Sequence, residues 1–344
     1  MNEKEIFIIH PYLKTNRLLK DSDLVEAQKL IEAIDLKSRY IQSIGLEKIN
    51  PKTFINTGSV CKLKLKIKEK KVDLIFFNCS LAPIQQRNLE KEIDCKIIDR
   101  TGLILEIFGA RANSNEGKLQ VTLASLQYQK SRLVRSWTHL ERQRGGAGFM
   151  GGPGESQIES DRRQITEQIN RLKKKIKVID KTRNLQRYRR KKNNIPIISL
   201  VGYTNSGKST LFNYLTKENM LAKDMLFASL DSTIRKVKIN DKYVLIIDTV
   251  GFIKSLPTML IAAFKSTLDE IINSDIILHV RDISNQENSN QKLEVIKILN
   301  EIGIEKHDQR IIDVINKIDL VDYKNNFNRK DSMSISAISV FGIR

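Results

Sequence analysis

The chain has 344 residues, 40% of them hydrophobic and 29% charged, with a formal net charge of +19. This composition excludes a disordered chain and predicts two or three domains with substantial cores. No run of about 18 apolar residues occurs, so no membrane-spanning helix is expected, and the positive excess calls for a polyanionic partner, nucleic acid before acidic lipid.

The first 112 residues alternate strand-like runs (6–9, 40–44, 72–77, 95–98) with helix-like segments (24–34, 60–70, 83–93), which predicts a small parallel α/β domain. The opening Met1-Asn2-Glu3-Lys4-Glu5 lacks the basic-then-apolar layout of a signal peptide. Cys61, Cys79 and Cys95 have no C-x-x-C spacing and read as reduced cytoplasmic thiols, not as a metal site or disulfide frame.

Residues 113–193 read as two long helices in an antiparallel hairpin. Leu119, Leu123, Leu126, Leu133, Trp137 and Leu140 form one seam, interrupted by Lys130. Ile158, Ile165, Ile169, Leu172, Ile176 and Ile179 form the other, interrupted by Arg162, and both follow the alternating spacing of a coiled coil. The connection Gly145–Gly154 is too rich in glycine, with a proline besides, to be helical. Its apolar Phe149 and Met150 make it a candidate probe at the hairpin tip. Between Asp161 and Lys192 fourteen bases face three acids, a net +11, more than half the excess of the whole chain.

Residues 195–344 read as a nucleotide-binding domain. Gly202-Tyr203-Thr204-Asn205-Ser206-Gly207-Lys208-Ser209 matches G-x-x-x-x-G-K-[ST] between an apolar strand and a helix. Backbone N–H groups of such a loop wrap phosphate oxygens, Lys208 reaches the β- and γ-phosphates, and the Ser209 hydroxyl ligates Mg²⁺. Asp248-Thr249-Val250-Gly251 ends an apolar run and fits D-x-x-G, placing Asp248 near the metal and the Gly251 N–H near the γ-phosphate. Asn316-Lys317-Ile318-Asp319 fits N-K-x-D, whose carboxylate accepts two hydrogen bonds from guanine that adenine does not offer. Ser336-Ala337 fits the last base-binding loop. Each lies at a strand end, where nucleotides bind in α/β sheets. His10 and His279 sit inside apolar strands and read as core or strand-edge histidines, not general bases. The run Val340-Phe341-Gly342-Ile343-Arg344 starts what should be a closing helix, so one sheet edge is expected to be poorly covered.

Several segments carry a family resemblance: Leu81-Ala82-Pro83-Ile84-Gln85-Gln86-Arg87-Asn88-Leu89-Glu90, Asp99-Arg100-Thr101-Gly102-Leu103-Ile104-Leu105, Glu116 to Val121, and Gly152 to Arg163. With Phe252-Ile253 and Leu256-Pro257, they make the chain resemble the HflX family of ribosome-associated GTPases over nearly its whole length. The fold then expected is α/β, a P-loop GTPase domain preceded by a small α/β domain and an antiparallel long-helix hairpin. The resemblance implies GTP and GDP as substrate and product, Mg²⁺ as cofactor, and the large (50S) ribosomal subunit as partner of a monomeric, cytoplasmic protein. The tip would enter a cavity near the peptidyl-transferase region during splitting or rescue of stalled ribosomes. It also places the first switch at Phe227-Ala228-Ser229-Leu230-Asp231, with Ser229 where the family's Mg²⁺-contacting Thr stands and Thr233 as fallback. Where the family has an N-terminal G-x-G-K segment, this chain has Asn56-Thr57-Gly58-Ser59-Val60, so no nucleotide chemistry is expected there.

Phe252 takes the position that carries a water-orienting Gln in Ras-like enzymes, and predicts slow intrinsic hydrolysis with the missing group supplied from outside. Lys208, Asp248 and Gly251 are the candidate catalytic groups. Arg187, Arg189, Arg190 and Lys191 are expected to contact ribosomal RNA. Two rival readings are an assembly factor whose GTPase times its release, and a membrane- or protein-docking switch with a peripheral membrane fraction. The second needs a basic helix with a free apolar face, and the matched seam of the preceding helix favours RNA.

Overall fold

The computed structural model describes residues 6–15, 20–143, 153–192, 195–217, 226–227, 232–263, 265–321 and 332–343. Two compact units divide the chain. One comprises Met1–Ala110 and Val121–Lys175, the other Arg111–Gln120 and Ile176–Arg344.

The first unit opens with β1 (Ile6–Leu13), α1 (Lys20–Glu32), β2 (Ser38–Leu46), α2 (Thr57–Lys70), β3 (Leu74–Phe77), α3 (Pro83–Ile93), β4 (Lys96–Asp99) and α4 (Arg100–Arg111). The strands form one parallel sheet in the order β2-β1-β3-β4. Strands buried on both faces need continuous apolar runs, and Ile6, Phe7, Ile8 and Ile9 are all buried. Asn56 caps α2, its side chain accepting from the Ser59 N–H at 2.8 Å, so the Asn56–Val60 segment has a structural task. Helix α4 adds an element that the strand and helix patterns had not separated.

The Asp99 carboxylate, 1% exposed, is the hub of this unit. It accepts from the N–H groups of Leu81 (3.1 Å) and Gly102 (2.8 Å), from the Tyr128 hydroxyl (2.6 Å) and from Arg132 (3.0 Å). A buried carboxylate is tolerable only when satisfied in this way. A Cβ at Gly102 would meet the Tyr128 hydroxyl at 3.1 Å and Asp99 Oδ1 at 3.2 Å, so the glycine lets these groups converge. Gln85 caps α3 by accepting from the Ala82 N–H, and Gln86 donates to the Ile97 carbonyl. The two sequence signatures around Pro83 and Asp99 are therefore one polar joint. Burial, reinforced by the Asp99 charge, raises the Tyr128 hydroxyl pKa well above its ordinary value.

The hairpin helices are α5 (Asn115–Gln143) and α6 (Pro153–Lys192), each divided between the two units. Helix α6 starts inside the segment read as a glycine-rich turn. Pro153 stands at its first position, where the missing N–H costs nothing and φ is already helical. The rest of the tip, with Phe149 and Met150, lies outside the described residues. Along α6, Ile165, Ile169, Leu172, Ile176 and Ile179 are all shielded, with Ile169 buried, as the seam spacing requires.

The second unit continues with β5 (Ile197–Val201), α7 (Lys208–Thr216), β6 (Thr233–Ile239), β7 (Lys242–Asp248), α8 (Thr258–Ala263), α9 (Lys265–Ile272), β8 (Ile276–Asp282), α10 (Asn288–Glu301), β9 (Ile311–Asn316) and β10 (Ser332–Ser334). The sheet order is β10-β9-β8-β5-β7-β6, parallel except for the β6–β7 pair. Leu200, Phe212, Ile246, Val280 and Val314 lie at its core. His279 is also core, 1% exposed on β8, its Nδ1 3.1 Å from Asp313 Oδ1. Burial pushes its pKa below the usual value despite that carboxylate.

The α6 seam continues in this unit, but with arginines. Arg183, Arg187 and Arg190 follow Ile176 and Ile179 at the same helical spacing. They converge on Glu270 of α9, which is 1% exposed. Arg187 reaches it at 3.0 Å, Arg190 at 3.4 Å and Arg183 at 3.9 Å, while Arg187 also pairs with Asp269 and Arg183 with Glu116 at 2.8 Å. This corrects the expectation that Arg187 and Arg190 lie against RNA, because a buried carboxylate holds both. The side chains of Arg189 and Lys191 lie outside the described residues.

Candidate functional site

The phosphate-loop geometry follows from where glycine is obligatory. Gly207 has φ +93, and a Cβ there would stand 2.2 Å from the Asn316 side-chain nitrogen. A Cβ at Gly202 would stand 2.2 Å from the Val280 carbonyl oxygen, which lets β5 hand over to the loop tight against β8. Asn205 takes a left-handed φ of 60, a conformation Asn tolerates better than most residues. Helix α7 then starts at Lys208, with its N-terminal N–H groups at the loop.

Lys208 is 5% exposed, and its ammonium donates to the Tyr203 carbonyl at 2.8 Å. Burial lowers its pKa to about 8 against the opposing pull of Asp248. A buried cation held so far below its ordinary value calls for an anion. The Thr204 and Ser206 hydroxyls point the same way, since both are buried and neither meets a partner among the described residues. A phosphate would satisfy all three. The Ser209 hydroxyl donates to Asp248 Oδ2 at 2.8 Å, an oxygen pair of the kind that a hard divalent cation takes among its ligands.

The D-x-x-G segment leaves β7 at Asp248. The Thr249 hydroxyl donates to the Leu200 carbonyl at 2.6 Å and pins the turn to β5. A Cβ at Gly251 would meet Thr204 Cα at 2.9 Å and the Lys208 ammonium at 3.1 Å, so only glycine brings this backbone to the phosphate loop. Phe252 is 2% exposed. Its N–H donates to the Gly202 carbonyl and its carbonyl accepts from the Thr204 N–H at 2.8 Å. The Lys254 N–H donates to the Tyr203 hydroxyl at 2.7 Å. Sequence reasoning had Tyr203 only as a loop position; its role in this bridge was missed, because x positions of a motif carry no signal of their own.

The base-side loops meet through Asn316, which is 1% exposed. Its amide donates to the Ser206 carbonyl at 2.9 Å and accepts from the Ala337 N–H at 3.0 Å. Lys317 pairs with Asp282 at 2.6 Å, Ile318 is buried, and Asp319 is exposed on the short 3-10 turn Ile318–Leu320. The Ser336 hydroxyl accepts from the Ser339 N–H. Phosphate loop, Asp248–Gly251, Asn316–Asp319 and Ser336-Ala337 thus follow the carboxyl ends of β5, β7, β9 and β10 in turn. Phe227 is buried; Ala228, Ser229, Leu230 and Asp231 lie outside the described residues. Thr233 opens β6 opposite Asp248 in the ladder.

Three family models match the chain in order. "GTP-binding GTPase N-terminal" covers residues 21–109, "GTP-binding GTPase Middle Region" covers 111–190, and "50S ribosome-binding GTPase" covers 197–317. GTPase HflX of Magnetococcus marinus is 48% identical over 325 residues, which is 93% of this chain and 75% of that protein. GTPase HflX of Escherichia coli is 39% identical over 330 residues, 95% of this chain and 76% of that one. Among solved structures, the complex of SsGBP with GDP aligns over 98% of this chain and 94% of its own, at TM-score 0.54 and 26% identity. The family models span the chain in order and the relatives share well over a third of its residues, so the chain belongs to the HflX family of GTPases.

Proposed function

We propose that this GTPase runs its cycle on the large ribosomal subunit, as a switch in ribosome splitting, rescue or assembly. The observation that carries the nucleotide half is the Asn316 amide. It ties the phosphate loop at Ser206 to the base loop at Ala337, and so fixes the distance between the phosphate and guanine ends of a bound nucleotide. Gly202 to Ser209 hold the phosphates, and Asp319 reads guanine N1 and N2 with Asn316, Lys317, Ile318, Ser336 and Ala337 framing the base. Ser209 and Asp248 hold Mg²⁺, with Ser229 or Thr233 from the first switch; the ion neutralises charge on the phosphates when bound.

In hydrolysis, Lys208 stabilises charge developing on the leaving phosphate oxygens, and the Gly251 N–H donates to the γ-phosphate. Water attacks in line. No side chain follows Gly251 to orient it, because Phe252 is packed away with its backbone committed to Gly202 and Thr204. The chain alone is therefore slow, and the 50S particle supplies what is missing.

The partner half rests on charge and on the model named for 50S binding that matches residues 197–317. We assign 1–112 as an N-terminal α/β domain, 113–193 as a hairpin whose tip enters a confined RNA cavity, and 195–344 as the GTPase domain of a cytoplasmic protein. No helix among the described residues is long and apolar enough to cross a membrane. Co-sedimentation with 50S particles under GTP, GDP and no nucleotide tests the whole reading. Binding that depends on GTP supports it; equal absence of binding in all three states overturns it. Phe149→Ser with Met150→Ser is expected to leave much of the binding and reduce splitting, and splitting at the wild-type rate would make the tip a mere connector.

A further inference from the structure

The second half of α6 has two opposed faces. Successive helical residues turn about 100°, which places Lys177, Val178, Lys181, Leu185 and Tyr188 in one stripe opposite Arg183 and Arg187. All five are exposed. Val178, Leu185 and Tyr188 stand 64%, 65% and 72% open to solvent, a concentration of apolar surface that a soluble helix does not need. Lys177 and Lys181 have no ion-pair partner among the described residues. The inner face differs in kind: Arg183, Arg187 and Arg190 are matched by Glu116, Asp269 and Glu270, so it presents no net charge.

We propose that this outer stripe is an RNA-binding surface. Lys177 and Lys181 would pair with backbone phosphates. Tyr188 would lie on a sugar or stack on an unpaired base, with Leu185 and Val178 packed beside it. Uncompensated cations interleaved with an aromatic are the combination that RNA binds. A lipid surface fits less well. Interfacial helices bury a broad apolar face, and the broad apolar face of α6 is already turned inward at Ile169, Leu172 and Ile176. The inference rests on the ribosomal reading above and names the helix face that meets RNA there.

The test uses the full chain and 50S particles across a salt series. Lys177→Gln with Lys181→Gln is expected to reduce the slope of log affinity against log salt by roughly 1.5, with at least about tenfold weaker binding near physiological salt. Tyr188→Ala is expected to weaken binding roughly five- to hundredfold, the range of one lost stack, and to leave the slope unchanged. Because the stripe is exposed, both variants should keep the wild-type melting temperature. Variants that bind 50S like the wild type, with the same slope, overturn the proposal. So do variants that lose binding only to phosphatidylglycerol-containing vesicles, which would make the stripe a lipid contact. If the wild type itself ignores 50S particles, the ribosomal reading falls. The same variants against a 23S ribosomal RNA transcript then decide the stripe, which stands if they lose binding and falls if they do not.

Discussion

Gly207 is the residue on which the two ends of the nucleotide site depend. It sits at φ +93 with the Asn316 amide 2.2 Å from where a methyl would go. Gly207→Ala should cost roughly 1–3 kcal/mol from backbone strain alone, and should displace the Asn316 bridge as well. Calorimetry is expected to show GTP affinity lost by more than tenfold. Lys208 gives a pH signature. Its folded pKa of about 8 lies below the ordinary lysine value, so the unfolded chain binds the proton more tightly. Between about pH 8 and 10.5 the nucleotide-free protein should gain stability as pH rises, by roughly 3 kcal/mol at most. Below pH 8 the full cost of the buried charge is present. The gain should vanish in Lys208→Met, measured by denaturant unfolding against pH. Phe252→Gln, an attempt to restore the water-orienting group, is expected not to accelerate single-turnover hydrolysis. The side chain at this position points into the core, so the amide would be buried there and stability would fall instead.

At the scale of elements, α6 is one helix with two chemistries on one seam. Isoleucine and leucine occupy the buried side up to Ile179, and arginine takes over where α9 offers Glu270. Removing one partner of a buried ion cluster is far more costly than the cluster's net worth, about 3–5 kcal/mol, because the remaining charges are left unpaired. Glu270→Ala should therefore lower the melting temperature by roughly 10 °C. Arg187→Gln should be destabilising too, yet leave the salt dependence of ribosome binding unchanged, since that guanidinium is already spent on Glu270. A lower salt slope without loss of stability would return Arg187 to the RNA contact. The first unit has its own counterpart in Asp99, which joins β4, the loop before α3, α4 and α5 through four accepted hydrogen bonds.

At the scale of the whole molecule, a small α/β region, a basic helical region and a GTPase domain follow one another along the chain, and Phe252 stands where Ras-like enzymes carry the water-orienting glutamine. Addition of 50S particles is expected to raise single-turnover GTP hydrolysis by at least an order of magnitude, and Asp319→Asn to shift preference toward xanthine nucleotides. Fast turnover by the purified chain alone would refute the argument from Phe252. Equal affinity for ATP and GTP would refute the one from Asp319.

The phosphate loop, D-x-x-G and N-K-x-D were legible in the sequence because each is local: consecutive residues at a strand end, constrained by phosphate or guanine chemistry. The parallel sheets were legible because strands buried on both faces must be apolar throughout, and the α6 seam because buried helical positions repeat at fixed spacing. What the sequence left open depends on partners distant along the chain. Charge counting made all fourteen bases between Asp161 and Lys192 equal; only the fold, by placing Glu270 under three of them, separated structural arginines from exposed lysines. Asp99, Tyr203 and Asn316 were likewise plain motif letters until burial required every polar atom to find a partner, and the partners Leu81, Lys254 and Ser206 lie 18, 51 and 110 residues away. Periodicity reports which side of an element is buried, and tertiary structure alone decides against what.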